Sequence, residues 1–386
     1  MDEIQAPLIP VIGELISQHP GTISLGQGVV YYRPPSEAIA NIADFWQQSD
    51  NHKYKSVQGI PPLLEAITTK LRQDNQIEIN DDNCVFVTAG GNMAFINAIF
   101  AITQPGDEII LQTPYYFNHE MAIKMANCQP VFVDTDEQYQ LCPDAIKKAI
   151  THKTKAVVTI SPNNPTGVVY PETTLREVNH ICQENGIYHI SDEAYEYFTY
   201  DGVKHFSPAS ILGSSQHTIS LFSLSKTYGF AGWRIGYQII PKQLLMPVKK
   251  VQDTILICPP VISQYAAIGA LKAGISYCQK HLPTIAQMRQ LFQEELGKIN
   301  HLVSCGDSKG AFYFFLKVHG DYDSFELAKK LITDYGVAVI PGNTFGMENG
   351  CYLRVAYGAL TQDTAKEGIK RLINGLKEIS TQKVSK

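Results

Sequence analysis

Several side chains stand where strand-like runs give way to turns, and their types suit chemistry on a carbonyl. In SLSKTYGFAGWRIG (223–236), Lys226 follows an apolar run and precedes a Gly-rich turn. An amine held there can form an imine with an aldehyde. Ser223 and Ser225 add hydroxyl donors, and Arg234, eight residues on, adds a planar cation that matches a phosphate. Taken alone, Lys226 reads as a surface lysine beside a salt-bridged arginine. Read as one string, the segment is far more specific than its parts.

Asp192 and Tyr195 lie in SDEAY (191–195), at the end of another strand-like run. A carboxylate at the carboxyl edge of an α/β sheet sits where such sheets bind ligands. Buried there, it needs a cation, and a protonated pyridine nitrogen would serve. Tyr195 could then bond a phenolic oxygen on the same ring; otherwise it is a core aromatic and Asp192 a helix cap. The turn SPNNPTG (161–167) presents Asn164 from a rigid loop ahead of Pro165, and it suits the same ring oxygen. TAGGNMAF (88–95) reads as strand, paired glycines and helix. There the backbone amides near Gly90, Gly91 and Asn92 form an anion site, without the GxGxxG or GxxxxGK fingerprints. In TPYYFNH (113–119), Tyr116 rather than Tyr115 is chosen to stack on a planar ring. Arg354, inside apolar YLRVAYG (352–358), needs an anion, either a protein carboxylate or the α-carboxylate of an amino acid. An imine-forming lysine, a pyridinium partner and a phosphate cradle together describe a site for pyridoxal 5'-phosphate.

The elements that must position these groups alternate. CVFVTA (84–89), EIILQ (108–112), PVFVDT (130–135), KAVVTISP (155–162), GIYHISDE (186–193), HTISLFSLS (217–225) and WRIGYQII (233–240) read as strands. GNMAFINAIFAI (91–102) and TTLREVNHICQEN (173–185) read as helices between them. Apolar strands alternating with helices predict a mainly parallel sheet covered on both faces. The tail differs. A helical region over 262–299, interrupted near Pro283, precedes strands at 311–318, 337–340 and 352–357 and helices at 324–335 and 361–378, which suits a smaller α+β unit. The first 40 residues are expected to pack beside that unit.

In this order the segments resemble the class I/II aminotransferases of the pyridoxal-phosphate fold type I superfamily, over nearly the whole chain. LGQGV (25–29), KYKSVQGIPPLLEAI (53–67), QPGDEI (104–109), KGAFYFFL (309–316) and VIPGNTFG (339–346) extend the match. The resemblance implies an α/β fold: a large cofactor-binding domain over 45–280, with a mainly parallel seven-stranded sheet between helices, and a smaller α+β domain from 1–44 and 281–386. It makes Lys226 the imine-forming lysine and the acid/base of the proton shift. It pairs Asp192 with the pyridine nitrogen, sets Asn164 and Tyr195 on the ring oxygen and stacks Tyr116 on the ring. Gly91, Asn92, Ser223 and Arg234 would surround the phosphate. Arg354 would clamp the substrate carboxylate, with backbone near Gly28 closing over it. Tyr54 matches a tyrosine that reaches the phosphate of the neighbouring subunit, which implies a homodimer with shared active sites.

Around Gly26 and Gly28 the chain most resembles the kynurenine, glutamine and methionine aminotransferase branch. It departs from that branch where Val30 replaces a usual proline, and Asn92 stands where some aspartate-using relatives carry a lysine. Arg33 could restore that charge, but a solvated loop residue is the preferred reading. The implied reaction is a ping-pong transfer of an amino group from an L-amino acid to a 2-oxo acid. A carbon–sulfur β-lyase would use the same lysine and ring contacts. A cofactor-binding transcription regulator would need an added DNA-binding domain, and this match begins within the first 30 residues.

Bulk properties agree with these readings. Hydrophobic residues make up 44% and charged residues 18%, enough apolar material for a sizeable core, and the net charge of -5 leaves no basic footprint for nucleic acid or an anionic membrane. The eight cysteines include no CxxC pair, so neither a metal site nor a redox motif is expected. MDEIQAPLIPVIGELI carries acids where a signal peptide needs bases, and no apolar run is long enough to span a membrane. The expected compartment is the cytoplasm.

Overall fold

Strands with apolar residues on both faces must be covered on both faces, and that requirement organises the molecule. The computed structural model describes residues 8–384. Residues 1–7, where the N-terminal stretch was read for targeting, and residues 385–386 lie outside the described residues, so the two ends of the small-domain range are not covered. The strands are β1 (Ile23–Ser24), β2 (Asn83–Thr88), β3 (Glu108–Thr113), β4 (Gln129–Asp134), β5 (Thr154–Ile160), β6 (Tyr188–Asp192), β7 (Thr218–Ser223), β8 (Gly236–Pro241), β9 (Val303–Cys305), β10 (Tyr313–Val318), β11 (Val337–Ala338), β12 (Ile340–Pro341) and β13 (Cys351–Ala356).

Seven of them form one sheet in the order β2-β8-β7-β6-β5-β3-β4. All neighbours pair in parallel except β8, which runs antiparallel to both β7 and β2. Because β8 reverses between them, β2 and β7 point the same way. The carboxyl ends of β2, β3, β5, β6 and β7 therefore share one edge, the edge at which open α/β sheets bind ligands. Separate apolar clusters fill the space against the helices, one around Phe86, Phe95, Ile109 and Ile190, another around Leu63, Val87, Phe222 and Tyr237.

All seven strands anticipated for the middle of the chain are present. The last starts at Gly236 rather than 233, because Arg234 takes a left-handed φ of 55° that no strand residue can adopt. The helical region after 261 breaks at Gly274, not near Pro283. Gly274 has φ 67° and ψ -173° and separates helices Val261–Ala273 and Ile275–Gly297, while Pro283 lies inside the second.

The tail forms a second, antiparallel sheet, β12-β13-β10-β9, which buries an apolar face with helices Ile275–Gly297 and Gln362–Val384. Residues 280 and 281 both lie within the first of these helices. The N-terminal segment bridges the two layers. β1 pairs in parallel with β11 beside the tail, whereas Asn41, on helix Ser36–Trp46, donates to the Tyr265 carbonyl at 2.8 Å. Among the described residues no helix is long and apolar enough to cross a membrane. All eight cysteines are free thiols.

Candidate active site

Turns at the shared sheet edge deliver most of the anticipated residues to one cavity of about 140 Å³. Asp192 ends β6, and Ala194 and Tyr195 follow it. Ser223 ends β7, and the short helical turn Leu224–Thr227 carries Ser225 and Lys226. Asn164 comes from the loop after β5. Tyr116 caps helix Phe117–Met125, and Gly91 and Asn92 open helix Gly91–Ile102. All of them, with Arg234, line the cavity.

The anion end is built from backbone. Gly90 has φ 83° and ψ 173°, a conformation that needs glycine, and it turns β2 into the helix start. The Arg234 guanidinium packs there so closely that a Cβ on Gly90 would lie 2.3 Å from its Nη2. Arg234 donates to the carbonyls of Ala231 and Ala89, at 2.8 and 3.2 Å, and among the described residues meets no carboxylate. The free amides of a helix N-terminus and a guanidinium therefore face one corner.

Lys226 faces the other side. Its Nζ donates to the Gly28 carbonyl at 2.5 Å and lies 5.9 Å from the centre of the Tyr195 ring. It keeps some exposed surface, but that surface faces the cavity. Burial first, then the charges of Arg354 and Arg234, lower its amine to about 8, against a partial pull from Asp192 in the other direction. Arg354, on β13, is 2% exposed. It donates to Asn164 Oδ1 and to the Gly26 carbonyl, each at 2.8 Å, while its Nε is buried with no partner. Holding Arg354 through its oxygen leaves the Asn164 amide nitrogen free to donate. Burial holds the phenol of Tyr195 well above its ordinary range and that of Tyr116 at about 12, so both remain donors at neutral pH.

Four of the anticipated residues are not in the cavity lining: Gly90 and Arg354, which pack directly behind it, and Gly28 and Tyr54. Gly28 contributes only through its carbonyl. Tyr54 is 80% exposed and borders a separate depression with Phe45, His52 and Pro259. Arg33 is exposed, and its carbonyl accepts from the Tyr277 hydroxyl.

Three neighbours were not anticipated. His119 Nε2 lies 3.1 Å from Asp192 Oδ2, with its ring stacked on Phe95 at 3.9 Å. It stands three residues after Tyr116, so helical spacing alone could have placed both on one face. The Tyr32 hydroxyl lies 3.0 and 3.1 Å from the carbonyls of Lys226 and Thr227 and ties the N-terminal segment to the lysine turn. Tyr313, on β10, hydrogen-bonds Tyr195, with their hydroxyl oxygens 2.6 Å apart.

A wider cleft of about 1050 Å³ opens beside Tyr115, Phe132 and Tyr352. Asp134, Asp136, Glu137 and Glu348 border it against the single cation Lys317, so it repels an anionic ligand. The smaller cavity has the opposite balance. Its donor set fits a planar, phosphorylated pyridine aldehyde: a guanidinium and helix amides for phosphate, a carboxylate for a ring nitrogen, an amide and a phenol for a ring oxygen, and an amine for the aldehyde. Among the described residues the buried Nε of Arg354 has no hydrogen-bond partner, so this guanidinium is left with donor capacity unused.

Comparison with known proteins agrees with this geometry. The model of the aminotransferase class I and II family matches residues 20–372. The chain is 33% identical over 385 residues to aromatic aminotransferase ISS1 of Arabidopsis thaliana, covering 97% of this chain and 94% of that one. It is 34% identical over 361 residues to an aspartate aminotransferase of Pyrococcus abyssi, covering 92% of each. A solved aspartate aminotransferase of Thermus thermophilus, a single mutant, superposes with a TM-score of 0.89 at 28% identity, over 97% of this chain and 98% of that one. The chain belongs to the class I and II aminotransferases, enzymes of fold type I that use pyridoxal 5'-phosphate.

Proposed function

We propose that this aminotransferase moves the amino group of an L-amino acid, of the aromatic, glutamine or methionine kind, to a 2-oxo acid by a ping-pong mechanism in the cavity at Lys226. One observation carries the reading: Lys226 lines the cavity and Arg354 bonds Asn164 at its wall, and neither has a carboxylate within salt-bridge distance among the described residues. Bound, pyridoxal 5'-phosphate supplies an electrophilic aldehyde and a ring that takes up electron density.

Each residue then has a task. Gly90, Gly91, Asn92, Ser223, Ser225 and Arg234 hold the phosphate, the backbone amides and hydroxyls donating and the guanidinium balancing charge. Asp192, oriented by His119 and by the Ala194 amide, keeps a proton at the ring nitrogen. Asn164 and Tyr195 donate to the ring oxygen, and Tyr116 covers the ring face. Arg354 binds the substrate carboxylate through its guanidinium, and the Gly28 backbone closes over it.

Lys226 moves the proton. Burial and the neighbouring guanidinium charges lower the amine to about 8, which favours the neutral form that can accept a proton. Neutral Lys226 would take the proton from the substrate α-carbon, hold it as an ammonium and return it on the far side of the substrate nitrogen. The amino group would be held on the bound cofactor between the half-reactions, so the first product leaves before the second substrate enters, which is the basis of the ping-pong assignment.

Aromatic donors are favoured by the aromatic aminotransferase among the relatives, and Asn92 supplies no cation for a side-chain carboxylate. The same reading makes the enzyme a cytoplasmic homodimer in which exposed Tyr54 reaches the phosphate of the neighbouring site. It divides the chain into a large domain, 45–280, and a small one, 1–44 with 281–386. A panel of amino donors against 2-oxo acids tests the substrate assignment, with cofactor absorbance followed in each half-reaction. Phenylalanine, tyrosine, glutamine or methionine should convert the absorbance without an acceptor present. Conversion by aspartate alone would overturn the assignment. Pyruvate and ammonia from cystathionine would point to the β-lyase instead.

A further inference from the structure

We propose that Tyr313 is a positioning residue of this site, which strengthens the hydrogen bond that Tyr195 makes to the cofactor and supports the face of Arg354. The proposal rests on the roles assigned above to Tyr195 and Arg354. Tyr313 has no surface exposure, and its hydroxyl lies 2.6 Å from that of Tyr195. The guanidinium carbon of Arg354 lies 4.6 Å from the centre of the Tyr313 ring. The register explains both contacts. Tyr313 pairs with Ala356 and Phe315 with Arg354, so Tyr313 and Arg354 are diagonal neighbours on one face of the β10–β13 ladder.

Each phenol has a single hydrogen. If Tyr195 gives its own to the ring oxygen of the cofactor, the contact survives only with the Tyr313 hydrogen directed at the Tyr195 oxygen. A donor there polarises the Tyr195 O–H bond and makes it a stronger donor in turn. A stronger donor neutralises more charge on the ring oxygen, so that oxygen holds the nearby proton on the Lys226 nitrogen less tightly. Tyr313 thereby lowers the pH at which that nitrogen loses its proton. Its ring separately offers Arg354 a flat cation–π surface, which a phenylalanine would also offer. Gly28 completes the arrangement. A Cβ there would lie 2.5 Å from the Tyr313 hydroxyl oxygen, so only glycine leaves the hydroxyl where it meets Tyr195.

The test is a pH titration of the visible absorbance of the holoenzyme. Tyr195→Phe should raise the midpoint by about a unit, and Tyr313→Phe by about half a unit. Gly28→Ala, which displaces the hydroxyl without removing it, should shift the midpoint in the same direction. Tyr313→Phe should leave the KM for amino acids within about twofold, whereas Tyr313→Leu should raise it about 3–10-fold by removing the ring under Arg354. A midpoint that moves in Tyr195→Phe but stays put in Tyr313→Phe and Gly28→Ala overturns the proposal. A midpoint that stays put in Tyr195→Phe as well overturns the role given to Tyr195, and the proposal with it.

Discussion

Two kinds of buried cation occur in this molecule. Lys70, at 7% exposure, meets Glu196 at 2.5 Å and Asn75 at 2.7 Å, and Asn75 in turn donates to the same Glu196 oxygen. Arg289 lies 2.9 Å from Asp201 and donates to the Ser308 carbonyl. Both are closed: each buried charge has its counter-charge within the chain. The cavity cations differ. Arg354 has two neutral acceptors and an idle Nε, and Lys226 has one carbonyl. Burying charge without a counter-ion is unfavourable. A protein that satisfies Lys70 and Arg289 internally but leaves Lys226 and Arg354 open is arranged for groups that arrive from outside, an aldehyde at Lys226 and an anion at Arg354.

Four variants at three positions can break that contrast. The largest effect should come from Lys226→Ala, which removes the amine that moves the proton. Turnover should fall about 10³-fold or more, and the visible absorbance of the bound cofactor should change with it, as followed by stopped-flow spectroscopy. Glu196→Ala opens the closed pair and leaves the Lys70 charge buried alone. It should cost about 3 kcal/mol in urea unfolding, with little change in KM for whatever protein remains folded.

Arg354→Ala removes an open cation instead. The KM for amino acids should rise about 10–100-fold while the cofactor absorbance persists, as read by steady-state kinetics. An unchanged KM would place Arg354 with the structural cations.

The smallest effect is on stability. In the cofactor-free protein the folded-state value for Lys226, about 8, lies below the ordinary 10.5. Between those two values the unfolded chain binds more protons than the folded one, so stability rises with pH across that window. The penalty is fully present below about pH 8. Lys226→Met should therefore stabilise the cofactor-free protein by about 1–2 kcal/mol at pH 7, with the gap closing above about pH 10. A gap that does not depend on pH would mean that packing, not charge, sets it.

The sequence made one half of the site legible and left the other half obscure, for a physical reason. Asp192, Asn164, Ser223 and Lys226 follow apolar strands directly, so a strand pattern and a turn suffice to put them on one edge. Arg354 was visible because a cation in an apolar strand demands an explanation. Tyr313 was not, since a tyrosine in AFYFFL is an ordinary core residue until the β10–β13 register sets it diagonally from Arg354. His119 gave a weaker signal, hidden by its place one turn inside a helix, and Tyr32 gave none, since only pairing with the distant lysine turn reveals it. The break at Gly274 shows the same limit: Pro283 looked like the stronger breaker, yet the turn geometry used the glycine. Local patterning reports which strand ends carry chemistry. Pairing between distant segments decides what supports them.

The most direct test of the open-cation account is to treat the holoenzyme with borohydride, digest it and locate the pyridoxyl label by mass spectrometry. The account predicts the label on Lys226 alone, and its loss in Lys226→Ala. A label on another lysine, or a labelled Lys226→Ala protein, would contradict it.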